Sequence, residues 1–188
     1  IEVKENSPDE KQMTAIRIIN TTKIFVVNAL FRNITSSAIQ IQTTANVRNT
    51  IQIDRSKFNN CGPLLGAIII NSYTPNKHPH GSRVLIRDCS FTDSQTQKSG
   101  GAIHFKSLHK LFIVNSLFLE NEAKLLGGGV ATNDISVLNI NKSKFLKNKA
   151  HTSGGAVYVK NSNSIIVDTC SFIVNNAIER GSSMFIIQ

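Results

Sequence analysis

An all-β solenoid of stacked coils is the fold class this sequence predicts, and three regularities predict it. Phe31, Phe58, Phe91, Phe118, Phe145 and Phe172 recur with successive gaps of 27, 33, 27, 27 and 27 residues. Five and seven positions before each Phe stand apolar residues: Ile24/Val26, Ile51/Ile53, Val84/Ile86, Leu111/Ile113, Leu138/Ile140 and Ile165/Val167. Gly100, Gly127, Gly154 and Gly181 are also 27 apart, and each opens a turn leading into a second alternating apolar run. A period of two means a strand with one face inward. The inward residues repeat chemically from copy to copy, which is the pattern expected when each copy is one coil and like stacks on like. The chain therefore reads as a right-handed, single-stranded parallel β-helix of about six to seven coils of ~27 residues.

Taken in order, residues 1–18 form a partial first coil, since MTAIRI (13–18) reads as the tail of a second run. Later copies of that run are SSAIQI (36–41), LGAIII (65–70), GGAIHF (100–105), GGGVAT (127–132), GGAVYV (154–159) and GSSMFI (181–186). Two positions before each Phe is a small residue, namely Ala29, Ser56, Cys89, Ser116, Ser143 and Cys170, suited to a narrow inward slot. The gap of 33 arises from a polar inserted loop, Ser72 to Ser82 (SYTPNKHPHGS), partly offset by a shorter loop after Phe58. Such an insertion belongs on the surface. Coils about 4.8 Å apart would make a rod of roughly 30 Å. One coil cannot bury its apolar face alone, so residues 1–188 form a single domain. Neither end carries the polar cap that solenoids need, which reads as an excerpt of a longer array or as ends that meet other subunits.

Two other solenoids fit less well. A leucine-rich repeat has a similar period and a recurring Asn, but its return segment is helical, whereas here the return is Gly-Gly and a second β-alternating run. A left-handed helix of hexapeptides needs a period of six, which is absent.

With 188 residues and 40% hydrophobic content the chain can bury one core, and its scarcity of Pro and Trp beside abundant Ile, Val, Asn, Ser and Thr favours strands and turns. No apolar run is long enough to span a membrane. The formal charge is +9, from 21 basic and 12 acidic residues, and implies attraction to anionic surfaces. The basic residues are scattered apart from a knot at Lys142, Lys144, Lys147 and Lys149, the candidate contact for an anionic glycan. Nucleic acid is not the expected partner, because no aromatic platforms interleave with the basic residues. Asn20, Asn33 and Asn141 lie in glycosylation sequons, compatible with secretion.

The candidates for chemistry are few. Asn121, Asn148 and Asn175 form a column three after Phe, read as side chains bonding one another and nearby backbone at a corner. The repeated glycines lack the GxxxxGK[ST] pattern of a phosphate loop and read as turn residues. His78 and His80 in the inserted loop have no third metal ligand. Among Asp9, Asp54, Asp88, Asp93, Asp134 and Asp168, only Asp54 and Asp168 share a repeat position, four coils or roughly 19 Å apart. No paired carboxylates for acid–base work follow, so catalytic, cofactor and metal sites are all expected to be absent. Cys61, Cys89 and Cys170 show no metal spacing; Cys89 and Cys170 are three coils apart, and a Cys61–Cys89 bridge requires a corner to bring them together. Six before each Phe stand Phe25, Gln52, Leu85, Phe112, Asn139 and Ile166, which alternation points outward. The apolar members, Phe25, Leu85, Phe112 and Ile166, suggest an interface.

A GGA-[Ile/Val/Leu] motif paired with FxxN resembles the repeats of the polymorphic outer membrane proteins. The first stands at Gly100–Ile103 and Gly154–Val157; the second at Phe118–Asn121, Phe145–Asn148 and Phe172–Asn175. Earlier copies depart, with Ser94 after Phe91, Cys61 after Phe58 and the Asn at Asn33 after Phe31. The resemblance implies a β-helical surface or secreted passenger acting in adhesion or self-assembly. The expected function is a non-enzymatic extracellular or cell-surface module, an adhesive or architectural rod. A β-helical polysaccharide-active enzyme and a scaffold subunit of a large assembly are the alternatives.

Overall fold

The computed structural model describes residues 2–4, 14–43, 49–64, 66–72 and 82–188. Every ladder among them is parallel, and no residue among them is helical. Seven strands stack in one sheet: Glu2–Lys4, Leu30–Ile34, Lys57–Cys61, Ser90–Thr92, Leu117–Leu119, Lys144–Leu146 and Ser171–Ile173. Four short strands make a second: Gln95–Thr96, Glu122–Ala123, Lys149–Ala150 and Asn176–Ala177. The third and largest sheet contains the 12-residue strands Ile103–Val114, Val130–Asn141 and Val157–Asp168. In earlier coils the same path is cut in two, as Ile39–Thr43 with Thr50–Asp54 and Ile68–Ser72 with Arg83–Arg87.

The inserted loop falls at that cut. Residues 73–81, His78 and His80 included, lie outside the described residues, yet the register on either side is intact: Ile70 pairs with Phe105, and Val84 with Leu111. An insertion at a corner changes the count between Phe residues without shifting which face points inward, so the core is undisturbed.

Inside, like does stack on like. The six Phe rings form one column with neighbouring centroids 4.6–4.9 Å apart and planes within 10° of parallel. Beside it run columns such as Ile51–Val84–Leu111–Leu138 and Ile53–Ile86–Ile113–Ile140, all fully buried. The separation between stacked rings is that of neighbouring strands, so the backbone ladder and the ring stack enforce one another.

The corners are single residues in the left-handed conformation. One column of corners is Asn28, Arg55, Asp88, Asn115, Lys142 and Thr169; another is Asn33, Asn60, Asp93, Glu120, Lys147 and Val174, all with φ between 46° and 56°. A third, Ser107, Asp134 and Asn161, bends the long strands. Asn and Asp tolerate this region better than other non-glycine residues, which explains their frequency there. Gly100, Gly127, Gly154 and Gly181 turn the fourth corner at φ of 59–74°. The glycine that follows matters for a different reason. A Cβ on Gly101, Gly128 or Gly155 would fall on two stretches of backbone of the next coil.

Candidate functional site

The inward polar groups are occupied in holding the coils together. Asn148 Nδ2 donates to the Phe118 carbonyl and to Asn175 Oδ1, both at 3.0 Å. Its Oδ1 accepts from Asn121 Nδ2 at 2.9 Å and from the Asn121 backbone N–H at 3.2 Å. Asn121 and Asn175 repeat the reach, donating to the carbonyls of Phe91 and Phe145. In the earlier coils the same position holds Ile34, Cys61 and Ser94; Cys61 Sγ, 3.6 Å from the Phe31 carbonyl, occupies the place of the Asn amide. The small-residue column is similar: Ser116 Oγ accepts from the Cys89 N–H at 3.2 Å, and Ser143 Oγ from the Ser116 N–H at 3.2 Å. These columns are structural.

All three thiols are free. Cys61 lies in the Asn column and Cys89 in the small-residue column, on opposite sides of the Phe strand, so no corner brings them together for a disulfide. Burial pushes both thiols up to about 11, while Cys170 is raised to a lesser degree and is partly exposed.

The lysine knot separates in space. Lys147 turns the corner beyond Phe145 and pairs with Glu120 at 3.0 Å, and Lys149 lies in the short sheet beside Glu122. Lys142 and Lys144 face the other way. With Arg55 and Lys57 they line a shallow groove of about 520 Å³ along the corner that precedes the Phe strands. Two columns build it. Arg55, Asp88, Asn115 and Lys142 turn successive corners, and Lys57, Ser90, Leu117 and Lys144 point outward from the strands that follow. The groove contains four exposed cations and one carboxylate. That carboxylate is engaged, since Asp88 accepts from Asn115 Nδ2 at 2.5 Å and has Arg87 Nε at 3.9 Å. The partner of Asp88 in the neighbouring coil is thus an amide and not a second carboxylate. Arg55, Lys57, Lys142 and Lys144 make no ion pair among the described residues. The link between Arg55 and Lys142 is easily missed in the sequence because 87 positions and three coils separate them. A list of residues three before each Phe would have shown it.

Two other polar clusters stand outside the core. Asp54, nearly buried, accepts from Arg87 at 2.7 Å and Gln52 at 2.6 Å. Glu122 accepts from Lys124 at 2.8 Å and lies 2.6 Å from His151 Nε2. The bonded Lys124 ammonium, more than His151, holds the Glu122 carboxyl below the usual carboxylate range against the opposing effect of burial. Among the described residues no three His, Cys, Asp or Glu side chains converge to hold a metal. The outward column is real in direction but not a continuous stripe: Phe25 and Ile166 are exposed, Leu85 and Phe112 are half-buried, and Gln52 and Asn139 interrupt it. Of the sequon residues, Asn20 and Asn33 are exposed at left-handed corners, while Asn141 is tied to Asp168 at 2.8 Å.

Comparison with curated proteins and with solved structures gives no match in either case. The family model described as a right-handed beta helix region matches residues 14–187. With nearly the whole sequence matched, and parallel coils stacked in register throughout, the chain belongs to the right-handed β-helix family.

Proposed function

We propose that this chain is a non-catalytic module of an extracellular or cell-surface protein, a stiff rod in adhesion or architecture. The observation that carries this reading is the division of labour between inside and outside. Inward Phe, Asn and Ser columns are consumed by coil-to-coil bonding, whereas exposed cations that make no ion pair among the described residues converge on one groove of the outer surface. Rigid concave surfaces bearing a few convergent polar groups suit recognition. The paired GGA-[Ile/Val/Leu] and FxxN motifs support the same reading through their likeness to polymorphic outer membrane protein repeats, which are surface passengers.

The polysaccharide-active alternative has one observation in its favour: Glu122, Lys124 and His151 form a hydrogen-bonded acid–base cluster on the outer face. It holds a single carboxylate, whereas glycoside hydrolysis uses two. A single assay distinguishes the readings. Chain 1–188 is displayed on beads, incubated with cell surfaces and with a panel of acidic and neutral polysaccharides, and scored for retention and for chain cleavage. Retention without cleavage is expected. Cleavage that disappears in Glu122→Gln would overturn the binding role in favour of the enzyme.

A further inference from the structure

We propose that the corner groove binds an extended acidic polysaccharide lying along the solenoid axis, with Arg55 and Lys57 holding one anionic sugar and Lys142 and Lys144 another three coils away. This rests on the reading of the module as a binding rod and names what one face of it binds.

Four features lead here. First, charge: two pairs of cations, without an ion pair among the described residues, border a groove whose one carboxylate is already occupied by Asn115 and Arg87. The basic residue just past the next Phe, Lys147, is neutralised by Glu120 instead. Clefts lined by one sign of charge concentrate counter-charged ligands. Second, backbone conformation: Arg55 and Lys142 both hold φ near 48° in a column where Asn28, Asp88 and Asn115 are the easily accommodated residues. Thr169 turns the same corner, and Glu120, Lys147 and Val174 turn another in the same conformation, so the corner fixes where Arg55 and Lys142 project, onto one line along the axis.

Third, span: three inter-coil steps put the cation pairs about 14 Å apart. A small anion reaches only one pair, so a ligand that uses both is a chain. Fourth, lining: between the ends lie Ser90, Asn115 and Asp88, polar groups suited to sugar hydroxyls, and Leu117 is the one large apolar side chain. No aromatic ring is present to stack a base, so single-stranded nucleic acid is the poorer fit. Engaging two half-sites on one chain raises the effective concentration of the second contact, so affinity should climb steeply once the ligand spans both.

The test measures binding of chain 1–188 to size-graded heparin and polygalacturonate oligosaccharides, to neutral dextran and to oligo-dT, by calorimetry at several salt concentrations. The groove assignment expects acidic oligosaccharides to bind, dextran not to, and affinity to rise by tenfold or more at the length that spans both pairs. R55E/K57E and K142E/K144E should each remove that gain, while Lys147→Ala leaves it intact. Circular dichroism verifies that the exposed double variants fold. Acidic oligosaccharides that bind equally to both double variants, or at one end alone with no dependence on length, would sink the assignment. So would oligo-dT binding more tightly than any acidic oligosaccharide. Retention of the chain on cell surfaces with no affinity for acidic oligosaccharides overturns this inference and leaves the adhesive rod standing; loss of both removes both.

Discussion

Val174 holds φ at 53° at a corner where the coils before it place Lys147, Glu120, Asp93, Asn60 and Asn33. A β-branched residue is poorly suited to that region, and it is 74% exposed, so no packing offsets the strain. Val174→Asn is therefore expected to stabilise the chain by about 1 kcal/mol, read as an increase in urea midpoint. Thiol chemistry differs by position for an equally local reason. Cys61 and Cys89, raised to about 11 by burial, should react with a maleimide only as fast as their coils open, whereas Cys170 should react first in the native protein. Mass spectrometry of a labelling time course checks the order, and equal rates at all three would contradict the burial described for Cys61 and Cys89.

Between neighbouring coils the decisive contacts are backbone against backbone. Gly128 and Gly129 are adjacent and look equivalent in the sequence, yet they face different constraints. A Cβ on Gly128 meets the carbonyls of Gly155 and Lys149, so Gly128→Ala should cost about 2 kcal/mol by forcing two coils apart. Gly129 lies between Ala102 and Ala156 in its column, and its Cβ would stand 2.9 Å from the Ala156 carbonyl, a milder approach than the 2.3 Å at Gly128. Gly129→Ala should cost less than Gly128→Ala, and a paired denaturation experiment measures both. Across the short sheet, Glu122 reaches the next coil through His151 and pairs with Lys124 in its own. Its folded pKa is depressed, so it contributes stability that is present above its unfolded value and lost as pH falls through the folded one. Urea midpoints taken through and below the carboxylate range should fall with acidification, and Glu122→Gln should flatten that fall.

Over the whole rod, each coil touches only the coils on either side, so stability is a sum of intrinsic and nearest-neighbour terms. Phe118 is enclosed between Phe91 at 4.9 Å and Phe145 at 4.6 Å. Phe118→Ala should cost about 3–5 kcal/mol, and the damage should remain local. Native-state hydrogen exchange is expected to show lost protection at Leu117–Leu119 and in the strands on either side, with Leu30–Ile34 little changed. Uniform loss along the chain would mean that the rod unfolds as one unit.

Much of this architecture was legible in the one-dimensional pattern. The spacing of Phe and the alternation of Ile and Val specify strands, inward faces and register, because a parallel solenoid lays each residue on its counterpart one coil on and makes period visible as contact. The Asn121–Asn148–Asn175 column was readable for the same reason. Corners were harder: a left-handed residue is a backbone choice that Arg, Lys, Thr and Val do not advertise, although the recurring Asn and Asp beside them offered a signal. The groove required the tertiary structure. Whether a lysine stays free depends on which carboxylate the winding brings to it, and only coordinates separate Lys147, neutralised by Glu120, from Lys142 and Lys144, which join Arg55 and Lys57 from far along the chain. Sequence alone determined the repeat, the core and the absence of a phosphate-loop motif. The winding decided where uncompensated charge accumulates, because charge adds up in space rather than along the chain.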